Sequence, residues 1–212
     1  MLGDLWSFQG RYRTLHLTWI AFFLTFVVWF NLAPLATTVK ADLGLTVGQI
    51  RTVAICNVAL TIPARVLIGM LLDKFGPRIT YSSILVFSAI PCLLFASAQD
   101  FNQLVVARLL LSIVGAGFVI GIRMVAEWFP PKEIGLAEGI YGGWGNFGSA
   151  FSALSMVALA GFLSFSGGFE LPTGAVLNWR GAIALTGIVS AVYGCFYFFN
   201  VTDTPPGKTY QR

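Results

Sequence analysis

Six long apolar segments most constrain what this chain can fold into. They lie near residues 17–39, 49–72, 79–98, 103–129, 134–164 and 180–200, with the one long connection between the last two. A helix needs about 20 apolar residues to cross the roughly 30 Å hydrocarbon core of a bilayer. The pattern therefore predicts an all-α membrane protein with six transmembrane helices. The segment 134–164 is long enough to tilt or to extend beyond the bilayer.

The composition indicates a protein surrounded by lipid. The placement of its basic residues, cysteines and histidine argues against nucleic-acid binding, metal binding and catalysis. Of the 212 residues, 57% are hydrophobic and 10% are charged, whereas soluble domains carry about 25% charged residues. The net charge is +4, but the basic residues are scattered singly and form no stripe that nucleic acid would need. Cys56, Cys92 and Cys195 lie inside apolar segments and His16 stands apart. We therefore expect no metal, no cofactor, no nucleic-acid partner and no enzyme activity.

The distribution of lysine and arginine predicts the orientation. One side of the predicted helices holds Arg11, Arg13, Lys74, Arg78, Lys132, Lys208 and Arg212, and the other holds Lys40, Arg51 and Arg180. Cytoplasmic loops carry the excess of basic residues, so both termini are expected in the cytoplasm, with the chain multi-pass in the inner (plasma) membrane. The predicted parts are a cytoplasmic N-terminal segment (1–16), a transmembrane domain (17–200), and a cytoplasmic tail or start of an inter-domain linker (201–212).

Arg65 is a charged residue inside the second predicted helix. It lies eight residues before Asp73, which is roughly 12 Å into the membrane at 1.5 Å per helical residue. An arginine at such a depth costs at least about 2.5 kcal/mol, so it should face a polar cavity. Its planar guanidinium suits a flat oxyanion. The alternative is that Arg65 caps backbone carbonyls of a neighbouring helix.

Three further polar residues carry open interpretations. Asn57 lies eight residues before Arg65 on nearly the same helix face and either lines the same cavity or makes a helix–helix hydrogen bond. Arg108 begins the fourth segment near the outer side, where it can interact with a neighbouring helix. Arg123 precedes Glu127 by one turn, which predicts an i,i+4 ion pair.

Two motifs add chemistry to this pattern. The first joins segments two and three and contains Gly69, Asp73, Lys74, Gly76 and Arg78. There, glycines permit close helix contact and a tight turn, and Asp73 can cap a neighbouring helix or pair with a basic group to latch one conformation. A polar turn that follows the positive-inside rule is the alternative.

The second motif is the run Tyr141-Gly-Gly-Trp-Gly145-Asn146-Phe-Gly148 in the fifth segment. Glycine costs about 1 kcal/mol in a helix relative to alanine, so four glycines in seven residues need a reason. They permit close packing of helices or bare the backbone to a ligand, for which Asn146 can donate a hydrogen bond. A small-residue packing seam with Asn146 between helices is the alternative.

These motifs resemble two nested families. The first is similar to the motif of the major facilitator superfamily. The glycine-rich run, the segment Glu127–Gly135 and the opening helix with Trp29-Phe-Asn-Leu-Ala-Pro34 resemble the nitrate/nitrite porter family of that superfamily, especially the cyanobacterial nitrate permeases. By this resemblance, Arg65 and Asn146 bind substrate and Phe118 stacks on the flat anion. Gly145 and Asn57 complete the predicted site.

The resemblance also implies an architecture and a mechanism. Members have two six-helix bundles, each an inverted 3+3 repeat, that rock to expose a central site to each side in turn. This chain holds one bundle, so it is expected to be an N-terminal half that needs a C-terminal half or a homodimer. Arg65, Phe118 and Asn146 should converge on one polar concavity facing that partner. Proton symport and anion exchange stay open, as do transport of another small organic or inorganic anion and a non-transporting regulatory role.

Overall fold

The computed structural model describes residues 7–210 and contains six helical spans long and apolar enough to cross a membrane. Numbered one to six in chain order, the spans are Gly10–Asp42, Val47–Phe75, Pro77–Ser97, Phe101–Trp128, Pro131–Ser166 and Trp179–Asn200. The six predicted helices are therefore confirmed. Residues 1–6 of the predicted N-terminal segment and residues 211–212 of the predicted tail lie outside the described residues.

The first four spans are each interrupted, the first towards its end and the next three near the middle. The α-helices in chain order are α1 (Gly10–Phe30), α2 (Ala36–Asp42), α3 (Val47–Ala59), α4 (Thr61–Phe75), α5 (Pro77–Phe87), α6 (Ala89–Ser97), α7 (Phe101–Ser112), α8 (Gly117–Trp128), α9 (Pro131–Phe162) and α10 (Trp179–Asn200). Short 3-10 turns lie at Ala33–Leu35, Ile113–Ala116 and Leu163–Ser166. In the first of these turns, Pro34 has no backbone N–H to continue α1.

Helix α1 begins at Gly10, earlier than the apolar segment that starts near residue 17. The added residues 10–16, about two turns, are polar in sequence but pack against other spans. Arg11 forms a 2.9 Å ion pair with Glu133, and the rings of Tyr12 and Phe129 lie 5.7 Å apart. These contacts extend the helix beyond the hydrophobic segment, which is why hydropathy placed the boundary later.

The long connection between spans five and six contains a small β-hairpin. Strand β1 (Phe169–Glu170) pairs antiparallel with strand β2 (Val176–Leu177), with Phe169 opposite Leu177. Asn178 then caps α10, because its side chain accepts a 2.7 Å hydrogen bond from the backbone N–H of Gly181. The sequence predicted a loop here, and two residues per strand are too few to show an alternating pattern.

Packing leaves the second and fifth spans the most exposed. Helix α1 packs along α9, and α10 packs against α5 and α6. Along α9 the buried residues recur every three or four positions, as a single stripe: Ala137, Tyr141, Gly145, Gly148, Ser152, Met156 and Ala160. Only 22% of the apolar window of span five and 28% of that of span two are buried. Both spans therefore present broad faces to their surroundings.

Both ends of the described chain lie at the same end of the bundle. The Arg13 guanidinium donates a 2.8 Å hydrogen bond to the Asn200 side-chain oxygen, joining the start of span one to the end of span six. At the opposite end, the Trp179 indole donates to the Asp42 carboxylate at 2.8 Å. An even number of crossings requires this arrangement.

Candidate functional site

Arg65 lies in α4 on an exposed face and makes no hydrogen bond or ion pair with any residue between 7 and 210. The buried stripe of α4 consists of Thr61, Ala64, Ile68 and Leu72, and Arg65 is turned away from it by one residue, or about 100° of helix. The bundle therefore neither neutralises this guanidinium with a carboxylate nor uses it to cap a carbonyl.

Asn57 joins spans one and two. Its amide donates to the Trp29 carbonyl at 2.8 Å, and the Trp29 indole donates in return to the Asn57 carbonyl at 2.7 Å. The Asn57 side-chain oxygen accepts a 3.2 Å hydrogen bond from Arg108. The predicted helix–helix hydrogen bond is confirmed, and contact of Asn57 with a substrate stays a prediction.

Arg108 is the functional candidate whose burial the sequence did not reveal. Its exposed fraction is 0%, although the sequence placed it near the outer side. One guanidinium nitrogen donates to the Asn31 side-chain oxygen at 2.9 Å, and its carbon lies 4.5 Å from the centroid of the Phe95 ring. The predicted interaction with neighbouring helices is confirmed. Its partners are neutral, and its Nε is buried without a hydrogen bond among the described residues.

Phe118 is half-buried in an aromatic cluster between spans one, four and five. Its ring lies 5.4 Å from that of Phe22 and is stacked at 6.2 Å on that of Tyr141. The Tyr141 hydroxyl donates to the Phe118 carbonyl at 3.0 Å, which ties α9 to α8. The cluster fixes the ring in place, and stacking on an anion stays a prediction.

The glycine-rich run of α9 has two faces with different surroundings. A Cβ at Gly145 would overlap the Phe22 ring, and one at Gly148 would overlap the Phe23 carbonyl, so these two glycines form a packing seam against α1. At Gly142 and Gly143 an added Cβ would meet nothing within 4 Å. The interpretation as a packing seam is therefore correct for one face, and the other face is open.

Asn146 lies on the open side of this run. It is exposed, and its amide donates a 2.7 Å hydrogen bond to the Gly142 carbonyl of its own helix. An asparagine amide has two N–H donors, so one donor and the side-chain oxygen stay available to a ligand. Gly145 holds this part of α9 against α1 and so fixes the depth at which Asn146 is presented.

The motif between spans two and three is organised by a residue outside it. Gly76 has φ +83°, a region that favours glycine. The Asp203 carboxylate accepts a 2.7 Å hydrogen bond from the backbone N–H of Arg78, so Asp203 caps α5. Asp73 and Lys74 are exposed. A Cβ at Gly69 would meet nothing within 4 Å, so the predicted close helix contact there is not made within residues 7–210.

The remaining predicted charge contact is present. Arg123 and Glu127 form an ion pair at 3.1 Å with the expected i,i+4 spacing. Glu127 also pairs with Lys208 of the tail at 2.8 Å. Arg123 is thus neutralised within its own helix, which accounts for it without a role in binding.

Arg65, Phe118 and Asn146 make no hydrogen bond or ring contact with one another among the described residues. Grooves of about 380 to 520 Å³ in this part of the chain are lined by other side chains. Arg65 and Asn146 instead lie on the exposed faces of spans two and five. A shared concavity therefore stays a prediction that depends on what covers those faces.

Comparisons with a family profile and with individual proteins all match this chain to membrane transporters. A family profile described as Major Facilitator Superfamily matches residues 18–212. The chain is 63% identical to the nitrate/nitrite transporter NrtP of Picosynechococcus sp., with all of this chain and 42% of the relative aligned. It is 60% identical to NrtP of Nostoc punctiforme over all of this chain and 41% of the relative. The chain thus spans about two fifths of the length of these relatives.

A solved structure supports the same fold. The bundle matches a bacterial homolog of the human lysosomal transporter Spinster, in an inward-facing and occupied conformation, with a TM-score of 0.72. The match covers 94% of this chain and 46% of the other at 20% identity, so it carries information on the fold alone. With its six spans, the chain is a multi-pass membrane protein.

Proposed function

The chain belongs to the Major Facilitator Superfamily, and from this premise we propose that it is the N-terminal half of a transporter for nitrate or nitrite. Identity of 60% and 63% along the whole chain to relatives named nitrate/nitrite transporters supports the substrate class. Two such bundles can carry a substrate across the membrane by rocking around a central site, and this motion needs no catalytic step. The basic residues at the end of the bundle that holds both chain ends favour cytoplasmic termini in the plasma membrane.

The single observation that carries the proposal is the state of Arg65. Its guanidinium is exposed within a membrane-spanning helix and has no partner among the described residues. A cation at membrane depth faces a cavity or a partner in almost every case. A flat oxyanion held between this bundle and a second one would supply both charge and hydrogen-bond acceptors to it.

The other site residues take distinct roles in this proposal. Asn146 supplies an in-plane amide donor, and Phe118 supplies an apolar ring above the anion. Gly145 and Asn57 position the site, since Gly145 seats α9 on α1 and Asn57 ties span two to Trp29. The second bundle, or a second copy of this chain, would cover the open faces of spans two and five. Asp73 would then latch one conformation across that interface.

Uptake of nitrate and nitrite into vesicles tests the proposal. The chain would be assayed alone and co-expressed with the C-terminal half of NrtP from Nostoc punctiforme, and we expect uptake only with both halves. Arg65→Gln should lower uptake about tenfold or more, because a hydrogen bond to a charged group contributes about 1.5–3 kcal/mol. Arg51→Gln is the matched control, since Arg51 is an exposed arginine of the same span.

Two results would contradict the proposal. One is the absence of uptake of either anion by correctly inserted, paired halves. The other is full uptake by Arg65→Gln, which would leave the family and the fold intact but remove the basis for this anion site.

A further inference from the structure

Span three has an apolar groove on each side. The first groove, of about 490 Å³, lies between α4 and α5 and is lined by Ile68, Leu71, Phe75 and Ile79 among others. The second groove, of about 520 Å³, lies between span three and α10 and is lined by Val86, Ile90, Phe198 and Phe199 among others. Ser83 and Phe87 line both grooves. These two residues therefore form a ridge with one groove on either side.

Each groove ends at an aromatic ring that lies beneath a cation. The Lys74 ammonium is 5.2 Å from the centroid of the Phe75 ring, at the end of the first groove. The Arg78 guanidinium is 4.7 Å from the centroid of the Phe198 ring, at the end of the second groove. Cation–π contacts hold the two charges over the groove ends. Both cations lie at the end of the bundle where the two chain ends meet.

Neither cation is neutralised by an ion pair within residues 7–210. Lys74 is exposed, and the Arg78 Nε is buried without a hydrogen-bond partner. The Asp203 carboxylate accepts a hydrogen bond from the backbone N–H of Arg78 rather than from its guanidinium. Asp73, next to Lys74 in sequence, is exposed and makes no hydrogen bond or ion pair among these residues. The Lys74 ammonium and the two terminal guanidinium nitrogens of Arg78 make no hydrogen bond or ion pair among residues 7–210 and are thus available to an external anion, whereas the buried Nε is not.

We propose that this surface binds one anionic phospholipid astride span three. One acyl chain lies in each groove, on either side of the ridge, and the phosphate lies between Lys74 and Arg78. The small side chain of Ser83 keeps the ridge low where the two chains part. Basic pockets between transmembrane helices bind anionic head groups in this way. The site is separate from the proposed anion site and does not depend on transport activity.

Lipid binding by the purified chain in detergent tests the proposal. Native mass spectrometry would count the bound phosphatidylglycerol and phosphatidylcholine, supplied with identical acyl chains, and thermal unfolding would measure the stabilisation by each. We expect about a thirtyfold preference for phosphatidylglycerol, since each of the two basic residues near an anionic lipid contributes about 1 kcal/mol. Lys74→Gln with Arg78→Gln should abolish the preference, and Lys74→Gln alone should remove part of it.

Two controls separate this site from general attraction to lipid. Lys132→Gln removes an exposed lysine at the same end of the bundle, outside both grooves, and should leave the preference unchanged. Ser83→Trp raises the ridge and should lower retention of both lipids several-fold. Ala153→Trp adds the same ring at an exposed position of α9 and should not.

The proposal fails if the two lipids bind equally to the unmodified chain, or if Lys132→Gln weakens the preference as much as Lys74→Gln does. It also fails if Ser83→Trp changes the fraction of dimer in the native mass spectrum and leaves the amount of bound lipid unchanged. A second copy of the chain would then occupy the grooves. Lys74 is exposed, so its variant tests the head-group contact even if Ser83→Trp does not fold.

Discussion

Arg108 is a buried charge that the protein satisfies with neutral groups. Its guanidinium donates to the side-chain oxygens of Asn31 and Asn57, and Asn31 in turn donates to the Thr186 hydroxyl at 3.0 Å. A buried charge is expensive unless it is hydrogen-bonded. Through the side chains of Arg108 and Asn31, the network therefore links spans one, two, four and six, close to the breaks that follow α1, α3 and α7.

Removal of this guanidinium should destabilise the bundle. Arg108→Met leaves the side-chain oxygens of the buried Asn31 and the half-buried Asn57 without donors, at about 1–3 kcal/mol each, so the free energy of unfolding in detergent should fall by about 2–6 kcal/mol. Arg51→Met changes an exposed arginine and should stay within about 0.5 kcal/mol. In the double variant with Asn57→Leu the losses should be less than additive. Additive losses would mean that the pair does not act as a unit.

At the scale of elements, α9 shows how one helix serves two purposes. Its narrow buried stripe packs on α1, and the opposite glycines leave the backbone open. A 32-residue helix with so small a buried fraction cannot be explained by the contacts of this bundle. The open face is where the proposed second bundle would lie.

The two faces predict opposite effects of the same substitution. Gly145→Ala places a methyl group inside the Phe22 ring, and overpacking of this kind costs about 1–3 kcal/mol. Gly142→Ala meets open space and should stabilise the chain by up to about 1 kcal/mol through helix propensity. Thermal unfolding of both variants measures the difference. Equal effects would show that the seam against α1 is not close-packed.

At the scale of the whole molecule, the tail ties three spans together. Asp203 caps α5 at the start of span three, Lys208 pairs with Glu127 at the end of span four, and the Tyr210 hydroxyl donates to the Leu72 carbonyl of span two at 3.1 Å. The tail thus crosses the end of the bundle from which a linker to a second bundle would leave. Movement of that linker would act directly on these spans.

The tail contact can be separated from the role predicted for the motif aspartate. Asp203→Ala removes a helix cap and should lower the free energy of unfolding by about 1 kcal/mol. Asp73→Ala should not change the stability of this chain alone, because the exposed Asp73 side chain makes no hydrogen bond or ion pair among residues 7–210. Chemical unfolding of the two variants distinguishes them. If Asp73→Ala lowered the free energy of unfolding more than Asp203→Ala, the assignment of Asp203 as the cap of α5 would be wrong.

Local pattern was enough to predict the spans and the contacts made within one helix. The six spans follow from apolar length, and the Arg123–Glu127 pair follows from i,i+4 spacing. Contacts between residues far apart in sequence were not predicted residue by residue. Asp203 and Gly76 meet across the bundle end, and no spacing rule links them.

What the sequence alone determined is the class of the molecule: six membrane spans, their shared end for both termini, and the residue types that suit a flat anion. Hydropathy is a sum over neighbouring residues, so it needs no knowledge of the fold. Tertiary structure alone decided which arginine is buried and which is exposed. Arg65 and Arg108 both interrupt apolar segments, but their environments depend on which helices surround them, and that is set by packing across the whole bundle.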